Sequence, residues 1–127
     1  MFLEKGRALP SRKVGALRNA SGPRVVAATV ELAVTRATRR RGLLGRDGLA
    51  PGHALLIAPC NSIHTWFMRF PIDVIFVRRD GLVLKTRAAI PAWKMAFGRG
   101  AHAVVELPAG AVAECGVKPG DRLELVF

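Results

Sequence analysis

Tyrosine is absent from this chain, cysteine occurs twice, acids number nine against twenty lysines and arginines, and no apolar run is long. Each shortage excludes something. No segment approaches the ~20 apolar residues of a membrane-spanning helix, and the basic stretch from Met1 to Pro10 lacks the apolar core of a secretory signal. The expected location is therefore the cytoplasm, where Cys60 and Cys115 are thiols and not a disulfide framework. The shortage of acids leaves a formal net charge of +11, carried by fifteen Arg and five Lys. A field of that sign attracts an anionic small molecule, an acidic polymer, nucleic acid or an anionic surface without choosing among them. The lack of tyrosine and of any recognised nucleic-acid motif weakens the nucleic-acid reading.

What is present fits one domain. At 127 residues, half of them hydrophobic, the chain is long enough for a single core and too short for two. Residues 1–23 hold many basic side chains and are broken by Gly and Pro, which predicts a basic N-terminal arm or an edge strand. Residues 24–127 form the β-rich domain. Alternation of Val26, Ala28, Val30, Leu32 and Val34 with more polar neighbours predicts a half-buried strand over 24–34. Thr35 stands where a helix cap belongs, so 36–44 is expected to make two helical turns that end at Gly45. Five arginines lie between 36 and 46 with no acid before Asp47, so this helix reads either as a solvated face or as an anion clamp.

Ala54–Ala58 suits a buried strand. Ile72–Arg78 and Leu82–Ala89 read as a hairpin around Asp80-Gly81, a pair that tolerates the positive backbone angles of a tight turn. Pro91–Gly100 reads as a loop, Ala103–Leu107 as a strand, Ala109–Cys115 as a short helix and Arg122–Phe127 as a last strand. The expected fold is mostly β, a single-domain sandwich or partly closed barrel of six or seven strands with two short helices.

The chemically dense stretch is Pro59–Asp73, which holds thiol, imidazole, thioether, guanidinium and carboxylate in fifteen residues. Read as a straight strand, it puts Cys60, Ser62, His64, Trp66 and Met68 on one face. Cys, His and Met are soft donors that suit copper(I), but residues four apart on a straight strand are ~13 Å apart, too far for one metal. The same spacing argues against a Cys60–His64 nucleophile and base, so neither a metal nor another cofactor is expected. Asp73, set between Ile72 and Val74, needs a cation or hydrogen bonds if buried. Arg69, or an arginine of the helix, is the expected partner.

The order Thr35, Arg39, Gly42-Leu43-Leu44-Gly45-Arg46, then Cys60-Asn61-Ser62-Ile63-His64-Thr65 and Met68-Arg69-Phe70-Pro71-Ile72-Asp73-Val74-Ile75-Phe76 resembles the uncharacterised family catalogued as domain of unknown function 192. The likeness continues through Asp80-Gly81, Pro91 with Trp93, Glu106-Leu107-Pro108-Ala109-Gly110, Gly116-Val117 and Gly120-Asp121, leaving out only the first twenty or so residues. It implies a small β-rich fold with a shared polar cluster, and it brings no substrate or activity with it. Leu44 stands where the family more often has Met, which implies a packing role there.

The functional expectation is a binding module with a pocket around residues 64–73. Its anionic ligand would be held by Arg39, Arg46 and Arg69, with hydrogen bonds from His64 and Thr65, and with Trp66, Met68 or Trp93 as an apolar wall. Asp73 would orient Arg69 or His64. The alternatives are a nucleic-acid binder using the same basic surface and stacking aromatics, and a hydrolase or transferase with His64 as general base and Asp73 as its partner. The sequence sets no oligomeric state.

Overall fold

In the computed structural model, which describes residues 15–22 and 24–126, apolar alternation and turn chemistry produce nine strands and two short helices. In chain order they are β1 (Gly15–Asn19), β2 (Val25–Ala33), α1 (Arg36–Arg41), β3 (His53–Ile57), β4 (Ser62–His64), β5 (Ile72–Val77), β6 (Val83–Ile90), β7 (Met95–Phe97), β8 (Ala103–Pro108), α2 (Ala111–Cys115) and β9 (Leu123–Val126). Seven strands form one sheet in the order β6-β5-β8-β3-β2-β1-β9, and β4 and β7 pair as a separate ribbon. The β2–β3 pair is parallel, with α1 in the connection between them, and the other ladders are antiparallel.

The sheet curls until its two edges touch. Leu82 and Arg122 bridge just before β6 and β9, Val83 N–H donates to Asp121 O at 2.8 Å, and Leu123 N–H donates to Gly81 O at 2.8 Å. The partly closed barrel is thus the form this mostly β chain takes.

Strand period sorts the core into two layers. On the inner face Leu32, Leu56, Val105 and Ile75 stand side by side across four strands, each almost wholly buried. On the outer face the equivalent row is Ala33, Ile57, Val104 and Phe76. The inner layer is completed by α2, the outer one by Leu43 after α1 and by Ile63 and Ala96 of the ribbon. Gly98 lets the ribbon lie this close, because a Cβ there would stand 2.3 Å from the Phe76 ring.

The main sheet has the seven strands expected, and the β4–β7 pair adds a separate two-stranded ribbon whose three-residue strands are too short to show a period. Three expectations need correction. Pro91–Gly100 is not all loop: Met95–Phe97 pairs with Ser62–His64. The helix ends sooner, since Gly42 takes a positive φ of 50° and its N–H closes on Thr38 O, whereas Thr35 caps the start as expected and Thr38 adds the reciprocal bond of a capping box. Residues 60–69 are not one straight strand, for the chain turns after Thr65 with Phe67 at φ 64°. Of the basic arm placed at 1–23, residues 1–14 and 23 lie outside the described set, and Gly15–Asn19 is a strand flanked by β2 and β9.

Candidate functional site

A cleft of about 420 Å³ opens on the outer face, between α1 with its following turn on one side and the segment from Pro59 to Met68 on the other. That volume suits a small ligand. Arg36, Arg39, Arg40 and Arg41 form the first wall, while Cys60, Ser62, His64 and Met68 form the second. Ile57, Ile63 and Glu106 lie between them. After the turn that follows Thr65, with Phe67 at a positive φ, Met68 lines the same cleft as His64. Among the described residues no three of His, Cys, Asp and Glu stand close enough to share a metal ion.

Among the described residues none of the four wall arginines is in an ion pair. Arg39 is positioned by its own backbone contacts, Nε donating to Thr35 O at 3.3 Å and Nη1 to Pro59 O at 3.2 Å. This ties the helix to the opposite wall. The Cys60 thiol donates to Ser62 O at 3.0 Å. Burial pushes that thiol above its ordinary value, which makes it a neutral side chain and a poor nucleophile.

Glu106 was not among the expected site residues, yet it is the most unusual group in the cleft. It sits on β8 between Leu55 of β3 and Val74 of β5, on the outer face of the sheet, and is only 5% exposed. Its Oε1 has no hydrogen-bond partner among the described residues. Burial pushes the carboxyl up to about 7, against the pull of the nearby Arg46 guanidinium. The signal for it is present in the sequence, as one acid inside the otherwise apolar Ala103–Leu107.

The expected site residues divide sharply. Arg39, His64 and Met68 line the cleft. Trp66 stacks on His64, ring centroids 4.6 Å apart, and so holds the imidazole from outside. Arg46 forms a fork with both Glu31 carboxylate oxygens, and Arg69 pairs with exposed Asp47 at 2.7 Å, so neither is a cleft clamp. Thr65 is fully buried: its hydroxyl donates to Pro91 O at 2.6 Å and accepts from Lys94 N–H at 2.9 Å, which locks two loops together. Trp93, at φ 66°, meets Phe67 edge to face at 4.7 Å outside the cleft.

Asp73 corrects the sequence reading most clearly. Its side chain lies on the inner face with Leu107, where it accepts N–H donors from Ala89 at 2.7 Å, Gly110 at 3.1 Å and Val112 at 2.9 Å. His64 belongs to the ribbon that covers the outer face. The sheet therefore separates the two, and Asp73 orients neither His64 nor Arg69. A catalytic His64–Asp73 pair is not formed.

A second depression of about 470 Å³ lies between β2 and α2. Of its charged lining residues, Arg24 donates to the Glu114 carbonyl at 3.0 Å, which leaves a polar contact within the protein and no orphaned group.

Residues 17–125 match the family model DUF192, described as "Uncharacterized ACR". Two crystal structures are similar over most of the chain. One is a protein of Sinorhizobium meliloti 1021, provisionally described as a transcription regulator, with 32% identity, a TM-score of 0.76, and 90% of this chain and 92% of that one covered. The other is a protein of unknown function from Novosphingobium aromaticivorans DSM 12444, with 28% identity, a TM-score of 0.74, and coverage of 86% and 81%. Among curated proteins none matches.

Proposed function

The chain belongs to the DUF192 family, and because that membership carries no activity, we propose from the geometry of this member a binding module that takes a small anionic ligand in the cleft between α1 and β4. The observation that carries the proposal is the wall of four arginines, unpaired among the described residues, on a capped helix that holds no acid. Guanidinium groups bind carboxylate and phosphate oxygens in a fixed fork, and a partly enclosed cleft strengthens each contact relative to open solvent. His64, steadied by Trp66, adds a hydrogen-bonding edge, and Met68 and Ile63 add apolar contact.

A second reading rests on a different observation. Five of the seven large apolar side chains exposed among the described residues, Trp66, Phe67, Trp93, Met95 and Phe97, stand on the β4–β7 ribbon and its flanking turns. Exposed aromatics beside cations such as Lys94 suit stacking on single-stranded nucleic acid, and the provisional regulator description of the Sinorhizobium relative points the same way. The hydrolase reading has no comparable support, since its acid partner lies across the sheet.

The test is binding of phosphorylated and carboxylated metabolites, single-stranded RNA and duplex DNA, at low and high salt. The wild type is compared with Arg36→Ala/Arg40→Ala and His64→Ala variants of verified fold. The proposal predicts a metabolite whose affinity drops about tenfold or more in the arginine variant, a loss on the scale of one charge-assisted hydrogen bond. Salt-steep nucleic-acid binding that both variants retain would make the ribbon and the general basic surface the working parts.

A further inference from the structure

On the outer face of the sheet Glu106 is a buried acid whose direct neighbours are apolar. The residues beside it across the ladders are Leu55 and Val74, and Ile57, Val104 and Phe76 form the next row. A buried polar atom with no partner is destabilising, because its lost hydration is not replaced. Replacing this acid with an apolar residue would remove that penalty, and the side chain reaches the cleft instead of folding back onto the backbone. Its Oε1 lies 4.0 Å from where a Gly42 Cβ would stand, beneath the end of α1.

We infer, building on the binding reading above, that Glu106 is the group that reads the ligand: as an uncharged acid it donates a hydrogen bond to an oxyanion held by the α1 arginines, so anion and proton enter the cleft together. The alternative, an ionised Glu106 receiving a cationic ligand, has a desolvated carboxylate in an apolar layer and an arginine wall that repels the guest. Charge complementarity favours the oxyanion.

The groups that face Glu106 come from three directions. From α1 and its turn come the wall arginines and Arg46, the latter already paired with Glu31. From the opposite wall come the Cys60 thiol and the His64 imidazole. From the sheet come Leu55 and Val74 as direct neighbours, with Glu31, held by Arg46, beyond Leu55 and Arg87 beyond Val74 in the same row. Of these groups, Glu106 is the one whose burial makes binding follow pH near neutrality. Burial raises the Glu106 value to about 7. Above that pH the carboxylate repels the anion, and affinity falls with the fraction of molecules still protonated.

Inorganic sulfate is the probe, because its charge is constant from pH 6 to 8. Wild-type protein is expected to bind it about tenfold more weakly at pH 8 than at pH 6, which is the change in the protonated fraction of a group titrating near 7. Glu106→Gln keeps a donor and no charge, so its affinity should be level across that range and exceed the wild type at pH 8. His64→Gln should keep the slope. Calorimetry of the wild type at pH 7.5 in buffers of different ionisation enthalpy should show net proton uptake, a readout that needs no variant. Displacement of sulfate by methyl phosphate or by acetate identifies the preferred oxyanion, and displacement by neither overturns the inference.

A slope retained in Glu106→Gln and lost in His64→Gln, or no proton uptake, would overturn it. If sulfate binding is independent of pH but lost in Arg36→Ala/Arg40→Ala, the arginine cleft stands and the role given to Glu106 falls. No sulfate in the cleft at either pH overturns both.

Discussion

Two buried carboxyls on neighbouring strands show how much environment matters to a single residue. Asp73 has three backbone N–H donors, whereas one oxygen of Glu106 has none among the described residues. For Glu106 the consequence for stability follows from linkage. Its folded value of about 7 lies above the ordinary 4.5, so between those pH values the folded state holds a proton that the unfolded chain has released. Stability contributed by this group therefore falls as pH rises through that window and stays at its lower level above 7. The difference amounts to roughly 3 kcal/mol in the limit of a fully buried carboxyl. Glu106→Gln should then be the more stable protein at pH 8 and lose its advantage toward pH 4, as read by urea denaturation at each pH. A variant less stable than the wild type at pH 8 would mean that the carboxylate is satisfied and charged. Sequence made this residue visible as a lone acid in an apolar run. What it could not supply was the cover over the outer face, which comes from α1 and the ribbon, both distant along the chain.

At the level of elements, Asp73 acts as a fastener. Gly110 cannot cap α2 with a side chain, and the Asp73 carboxylate does so from the adjacent strand by accepting from Gly110 and Val112 while also holding Ala89 of β6. Asp73→Asn exchanges one acceptor oxygen for an amide that faces donors. It is expected to cost about 2 kcal/mol or more in urea denaturation and to leave sulfate affinity in the folded protein unchanged. Preserved stability with lost binding would return Asp73 to the site. The sequence reading placed a buried charge here correctly and chose the wrong partner, because Arg69 is near in sequence while Ala89, Gly110 and Val112 arrive through strand pairing. The two short helices and the Asp80-Gly81 hairpin were legible from caps and turn residues. The β4–β7 ribbon was not, since its strands have three residues each and it is Thr65, not a periodic pattern, that joins its loops.

For the molecule as a whole, a curled sheet with two covered faces gives the chain one side closed by a helix and another that carries the cleft. The inner face is closed by α2 and tied by Asp73. The outer face is covered by α1 and the ribbon, which leave the arginine cleft between them. A net charge of +11 raises the local concentration of any anion around the molecule, so affinity alone does not locate the working surface. The composition made the cationic character plain, and the helix pattern left 36–46 as either a solvated face or an anion clamp. Which arginines face inward depended on Glu31 and Asp47 occupying Arg46 and Arg69. The deciding measurement is a sulfate titration at pH 6 followed by amide chemical shifts residue by residue. The account predicts saturable shifts concentrated at Arg39–Leu43, Cys60, His64, Met68 and Glu106, with Trp93 and Phe97 unmoved. Shifts that spread over the ribbon and the outlying basic residues without saturating would contradict it.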